Sequence, residues 1–154
     1  MKIKKVLVAN RGEIAIRIFR ACTEINIKTI GIYTFEDRYS LHRYKADESY
    51  QIGEDNEPLK PYLNIDVLIQ VAIENGADAI HPGYGFLSEN ADFAQACEDN
   101  GIIFIGPKVS VLKSLGDKIT AKQVAVANDI PIIRSNKNPL TNINVAITEA
   151  KKIG

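Results

Sequence analysis

The feature that most constrains this chain is the rhythm in which short apolar runs alternate with segments of helical period. Val6, Leu7 and Val8 stand in a row within residues 5–9, the mark of a parallel strand covered on both faces rather than one with a wet side. Behind it Asn10 is placed to cap a helix, with Glu13 three residues on to complete a capping-box pair. Ile14, Ile18, Cys22 and Ile25 recur at helical spacing and are expected to face the sheet. Residues 29–33 read as the second strand, 41–46 as a short helix or turn, 49–52 as a short strand and 54–61 as a loop with two prolines. A helix over 66–75 is expected to close at Gly76 in the left-handed conformation. A strand over 77–81 breaks at Pro82-Gly83-Tyr84-Gly85, Ser88 is a candidate cap for a helix running to Asn100, Gly101 ends that helix, and 102–105 is the next strand.

Strand–helix alternation in this order predicts an α/β fold: a Rossmann-like open parallel sheet of about five strands with helices on both faces. After Gly106-Pro107 the pattern changes. Residues 109–115 and 118–128 read as helices, 130–133 as a short strand and 143–153 as a last helix. We therefore expect a Rossmann-like domain over 1–115 and a helical connection over 116–154. The chain stops at Lys152-Ile153-Gly154, a helix end, and this reads as a chain cut before a further domain.

Composition narrows the function classes. Nineteen Lys and Arg balance nineteen Asp and Glu, so no net field favours nucleic acid or an anionic membrane surface. No apolar run approaches the roughly 18 residues of a membrane span, and the N-terminal run is too short for a secretory signal; a cytoplasmic protein is expected. Cys22 and Cys97 each lie among apolar neighbours and read as reduced core thiols. His42 and His81 stand in no metal-ligand spacing, and no metal site is expected.

Three segments are candidates for chemistry. Asn10-Arg11-Gly12-Glu13 forms a strand-to-helix turn where a dinucleotide fold would hold pyrophosphate. The fingerprint there needs three spaced glycines and has one, and Glu13 would point negative charge at a phosphate; Glu36 and Asp37 sit where a ribose-binding acid would lie but carry little alone. The second segment, His81 to Asn90, follows a strand and so lies at the carboxyl edge of the sheet, where open α/β folds bind ligands. Gly83 and Gly85 permit close backbone approach or positive φ, and would hold Tyr84 outward with its flat face and hydroxyl. A tight turn with packed aromatics explains the same residues equally well. The third is Lys118 after Gly116-Asp117, a cation at a helix start; Asp117 as a plain helix cap is the simpler explanation.

Taken together, residues 9–15, 81–90, Phe104-Ile105-Gly106-Pro107 and Gly116-Asp117-Lys118 resemble the biotin carboxylases in order and spacing along the whole chain. Residues 42–48 most resemble the pyruvate carboxylase branch. The resemblance implies a pre-ATP-grasp domain of a ligase that uses MgATP to activate bicarbonate as carboxyphosphate and carboxylates biotin borne on a carrier domain. In the pyruvate carboxylase branch a second domain then passes the carboxyl group to pyruvate. Position by position, Lys118 matches the family lysine that contacts ATP. Gly83, Tyr84 and Gly85 match the turn bordering the biotin end of the active site. Arg17, Arg20 and Glu24 match subunit-interface positions of bacterial dimers, so a homo-oligomer is implied; a solvated face with Glu13–Arg17 and Arg20–Glu24 pairs is the structural alternative. The resemblance also implies that the lid, the Mg²⁺-binding acids, the bicarbonate groups and the catalytic base lie beyond Gly154, leaving no catalytic residue in this chain and little affinity for ATP. One departure is Arg134-Ser135, where the family usually carries Pro-Gly. Two rivals remain: the equivalent domain of another ATP-grasp ligase, such as carbamoyl-phosphate synthetase, and a non-catalytic binding or assembly module.

Overall fold

The computed structural model describes residues 2–133 and 140–153. The chain falls into two compact units, Met1–Leu112 and Lys113–Gly154. Arg134 and Ser135 lie outside the described residues.

The first unit is built on a five-stranded, wholly parallel sheet. Its strands are β1 (Lys5–Val8), β2 (Lys28–Tyr33), β3 (Glu48–Gln51), β4 (Ala79–His81) and β5 (Ile103–Phe104), arranged in the order β3-β2-β1-β4-β5. Helix α1 (Gly12–Glu24) connects β1 to β2, α2 (Ile65–Glu74) precedes β4, and α3 (Ala91–Asp99) connects β4 to β5. Chain direction across the sheet reverses at β1, which pairs with β2 on one side and β4 on the other. The expected α/β fold is the one observed.

Strand pleating divides the core. Val6, Val8 and Ala79 point to one face and meet Ala15, Phe19 and Cys22 of α1. Leu7, Ile30, Ile32 and Ile80 point to the other and meet Leu68 and Ala72 of α2 and Phe93 and Cys97 of α3. Phe93 stands edge-on to Phe104, ring centroids 5.9 Å apart. The two cysteines are buried, as expected of core thiols, and lie on opposite faces of the sheet; burial pushes the Cys97 thiol up to about 12 and raises that of Cys22.

The buried stripe of α1 is Ala15, Phe19 and Cys22, displaced from the expected isoleucines; Ile25 is 67% exposed. A small residue at the centre of the contact brings the helix close to the sheet, and Ile14 and Ile18 fall to its rims. Gly76 and Gly101 end α2 and α3 in the left-handed conformation, as expected. The same geometry ends α1 at Asn26, where Ile27 N–H donates to the Cys22 carbonyl. Helix α3 starts later than expected. Ser88 N–H donates to Gly85 O in a turn, and Asn90 is the cap, its side chain accepting from Phe93 N–H at 2.8 Å.

After β5 the chain forms α4 (Val109–Gly116), α5 (Lys118–Ala127) and α6 (Ile143–Ile153). Val109 and Leu112 of α4 pack on Ala94. The expected strand over 130–133 does not form; its isoleucines are 41–88% exposed. A short β-branched run needs a neighbouring ladder to become a strand, and no such pairing is present there among the described residues. None of the described helices is long and apolar enough to cross a membrane.

Candidate functional site at the carboxyl edge of the sheet

All five strands are parallel, so the loops after β1, β2 and β4 open on one edge. That edge gathers Asn10 and Arg11 after β1, Asp37 after β2, and the Pro82–Phe86 turn after β4. The crevice at the strand-order reversal between β1 and β4 is the place where a doubly wound fold takes its ligand.

Here a side chain spans that crevice. Asn10, 1% exposed, does not cap α1; Arg11 occupies the cap position, and its side chain makes no capping bond. Instead Asn10 Nδ2 donates to Pro82 O at 2.7 Å and Tyr84 O at 3.0 Å, while its Oδ1 accepts from Arg11 N–H at 2.9 Å. The bonds leave the amide one orientation, since only its NH₂ serves two carbonyls. A dinucleotide entering at the reversal would have to displace this bridge, a second obstacle beside the missing glycines.

Gly83 cannot be exchanged for a larger residue. Its φ is +68°, and an added Cβ would lie 2.6 Å from Asn10 Nδ2 and 2.8 Å from Ile14 Cγ2. Its N–H donates to His81 Nδ1 at 3.0 Å, so that nitrogen is unprotonated; burial lowers the His81 pKa and favours this neutral form. Between the glycines Tyr84 is 68% exposed, held outward as the spacing suggested. Space beside Gly85 is open: an added Cβ would meet nothing within 4 Å. Phe86 then adopts φ +43°, rare for a residue with a side chain, and stacks face to face on Tyr62 with centroids 5.4 Å apart.

Tyr62 leads into an ion pair that sequence reasoning missed, with the Asp37 carboxylate buried and the Arg11 side chain partly exposed. Its hydroxyl donates to Asp37 Oδ2 at 2.8 Å, and Arg11 Nε donates to the same oxygen at 2.6 Å. Asp37 Oδ1 takes Arg11 Nη2 and the Ser40 hydroxyl. Burial alone would raise the Asp37 pKa, but the bonds from Arg11, Tyr62 and Ser40 hold it down at about 2. Tyr62 is pushed well up, first by burial and then by the carboxylate, and Arg11 is raised by its bond to Asp37. Asp37 was visible only as a loop acid, and Tyr62, just past the proline-containing loop over 54–61, carried no signal of its own. His42, fully buried nearby on the loop after β2, places Nε2 3.1 Å from Ile32 O.

The remaining expected residues lie elsewhere. Arg17, Arg20 and Glu24 are exposed on α1, and among the described residues neither Glu13–Arg17 nor Arg20–Glu24 forms an ion pair. Arg17 borders a shallow groove of about 390 Å³ lined by Ile3, Ile18, Ile25, Ile27 and Ile105. Lys118 belongs to the second unit as the exposed first residue of α5, whose cap Asp117 accepts from Thr120 N–H and Oγ1–H, both at 2.8 Å. The described residues contain no group of three His, Cys, Asp or Glu placed to hold a metal ion.

An open parallel sheet, a crevice bridged by an asparagine and an outward glycine-flanked tyrosine define an α/β domain that presents a turn rather than a nucleotide cradle. Residues 2–112 match the family model for the biotin carboxylase N-terminal domain, and the chain belongs to that family. It is 54% identical over 144 residues to mitochondrial pyruvate carboxylase of Rattus norvegicus, covering 94% of this chain and 12% of that protein. Against pyruvate carboxylase of Bacillus subtilis it is 58% identical over 137 residues, 89% of this chain and 12% of the other. The chain thus spans about an eighth of the length of these relatives. Among solved structures it superposes on the biotin carboxylase domain of Hydrogenobacter thermophilus 2-oxoglutarate carboxylase, a dimer in complex with MgADP, ADP and bicarbonate. The TM-score is 0.94 at 46% identity, over 100% of this chain and 34% of that one.

Proposed function

We propose that this chain serves as the N-terminal domain of the biotin carboxylase part of a biotin-dependent carboxylase of the pyruvate carboxylase kind. The observation that carries the reading is the likeness over its entire length to a domain seen with MgADP and bicarbonate, at 46% identity and a TM-score of 0.94. The reaction is then ATP-dependent carboxylation of biotin from bicarbonate, with pyruvate as the final acceptor. When bound, MgATP supplies the activation of bicarbonate.

This chain's own residues have subsidiary tasks. The Lys118 ammonium is exposed at a helix start and suits a phosphate oxygen. The turn fits the biotin side: Tyr84 presents a flat face and a hydroxyl, and Gly83 and the open flank of Gly85 let a ring approach backbone. Residues 116–154 serve as the connection to the ATP-grasp remainder, which contributes the lid, the metal-binding acids, the bicarbonate groups and the base, and the carrier domain delivers biotin. Arg17, Arg20 and Glu24, exposed on α1 and in no ion pair among the described residues, with Arg17 beside an apolar groove, suit a subunit contact of a cytoplasmic homo-oligomer.

A single exposed lysine contributes a screened interaction of about 1 kcal/mol, too little to offset the cost of association. Calorimetry of ATP into this chain is therefore expected to show millimolar affinity or weaker, with no bicarbonate-dependent ATP hydrolysis. In the full-length enzyme Lys118→Ala is expected to raise the KM for ATP and lower turnover. Micromolar binding by this chain would place the nucleotide site within these residues, and normal kinetics in the variant would reduce Lys118 to a helix-start lysine. A full-length enzyme without bicarbonate-dependent ATP cleavage would sink the reading as a whole.

A further inference from the structure

Two adjacent residues hold both ends of the Tyr84 turn. We propose that the Asn10-Arg11 dipeptide is the positioning element of this turn, setting where Tyr84 meets biotin without touching biotin itself. The inference rests on the biotin-side reading of the turn given above.

At the near end Asn10 is buried and gives its two amide protons to Pro82 O and Tyr84 O, the carbonyls on either side of Gly83. The absent Cβ of Gly83 is what lets this amide come so close. At the far end Arg11 acts through a relay. It pairs with Asp37, Asp37 accepts from the Tyr62 hydroxyl, and the Tyr62 ring stacks at 2° on Phe86. Phe86 holds a positive φ of 43°, a conformation that persists only where its surroundings enforce it. The peptide joining Asn10 to Arg11 is fixed in turn by the Asn10 Oδ1 bond to Arg11 N–H. A rigid strand, β1, thereby sets a loop that carries an exposed side chain, an arrangement suited to a group that must meet a ligand in one geometry. Neither Asn10 nor the Arg11–Asp37 pair has another evident use at this edge: the amide spans the crevice a nucleotide would need, and the carboxylate is saturated by donors.

Backbone amide exchange on this chain reads the positioning directly. Asn10→Asp keeps the shape and removes both donors, facing two carbonyls with a carboxylate. Exchange at Gly83 is expected to rise about tenfold or more while amides of β1 and β2 keep their protection. Unchanged exchange at Gly83 in a folded variant overturns the proposal. Should Asn10→Asp fail to melt cooperatively, Phe86→Leu decides: faster exchange confined to residues 83–88 supports the relay, and unchanged exchange refutes it. In the full-length enzyme, Asn10→Asp is expected to raise the KM for free biotin about tenfold while biotin-independent, bicarbonate-dependent ATP cleavage stays within about twofold. Equal losses in both would mean a general structural role and would overturn positioning. Tyr84→Ala separates the two ideas. Normal biotin kinetics in that variant would remove the biotin-side reading, whereas a changed biotin KM there with none in Asn10→Asp would remove only the positioning role.

Discussion

Helices α2 and α5 are both ten residues long and both carry apolar residues at helical spacing, but they meet different fates. Leu68, Ile69 and Ala72 of α2 are buried against the sheet, whereas α5 has no buried residue, and none of the described residues over 113–133 and 140–152 is buried. Val124, Val126, Ile130, Ile143 and Val145 stay 38–75% exposed. An amphipathic pattern states what surface a helix offers; only a neighbouring layer decides whether that surface leaves water. The first unit has such a layer in its parallel sheet. The second presents apolar faces of the kind an adjoining domain would cover, which accords with its proposed place before an ATP-grasp remainder.

The comparison is broken most readily at its core. Phe93 is fully buried beside the sheet, so Phe93→Ala is expected to cost about 3–5 kcal/mol, whereas Ile133→Ala, at a residue 88% exposed, should change stability by no more than about 0.5 kcal/mol. Urea unfolding of the two variants checks this, and similar losses would show the second unit to be as well packed as the first. Glycine makes a smaller contrast. Gly83→Ala meets Asn10 Nδ2 at 2.6 Å in a left-handed backbone, and a loss of about 2–3 kcal/mol is expected. Gly116→Ala, at the last residue of α4 with nothing within 4 Å, should be neutral or stabilising by up to about 1 kcal/mol. A thermal melt that drops for Gly116→Ala would mean that this position is covered after all.

Acid gives the finest separation. The Asp37 carboxyl lies at about 2 in the folded chain against an ordinary 3.8, so the folded state releases this proton more readily. Its contribution, about 2 kcal/mol, is complete above 3.8 and is lost as pH falls toward 2. His42 is also depressed, chiefly by burial, below its ordinary 6.5. The unfolded chain therefore takes up that proton first, and stability from this residue is full above pH 6.5 and declines below it. Asp37→Asn should flatten the acid limb of a stability–pH profile, and His42→Gln the shallower limb starting near 6.5. Unaltered limbs would shift the pH dependence to groups outside the first unit's core.

The succession of strands and helices along the chain and the left-handed ends at Gly76 and Gly101 were legible because each rests on local chemistry: apolar runs, period and glycine. The bridge and the relay were not. Asn10 is as good a helix cap as it is a crevice bridge, and its partners are backbone carbonyls 72 and 74 residues away, which no side-chain identity announces. The Arg11–Asp37 pair joins residues 26 apart, and Tyr62 lies 25 beyond Asp37, so their convergence is a product of sheet order alone. Gly83 was recognised as special for its backbone freedom. Its second reason, the space taken by Asn10, became visible only once β1 and β4 were side by side.

The two thiols give the chain an internal reporter. Cys22 belongs to α1 on one face of the sheet and Cys97 to α3 on the other. Both are buried, and burial raises both thiols, so alkylation of each is slowed until its own layer opens, more so for Cys97 than for Cys22 beside the groove. The order in which the two become labelled in mild denaturant records which helical layer leaves the sheet first, without a dye, a tag or an added residue.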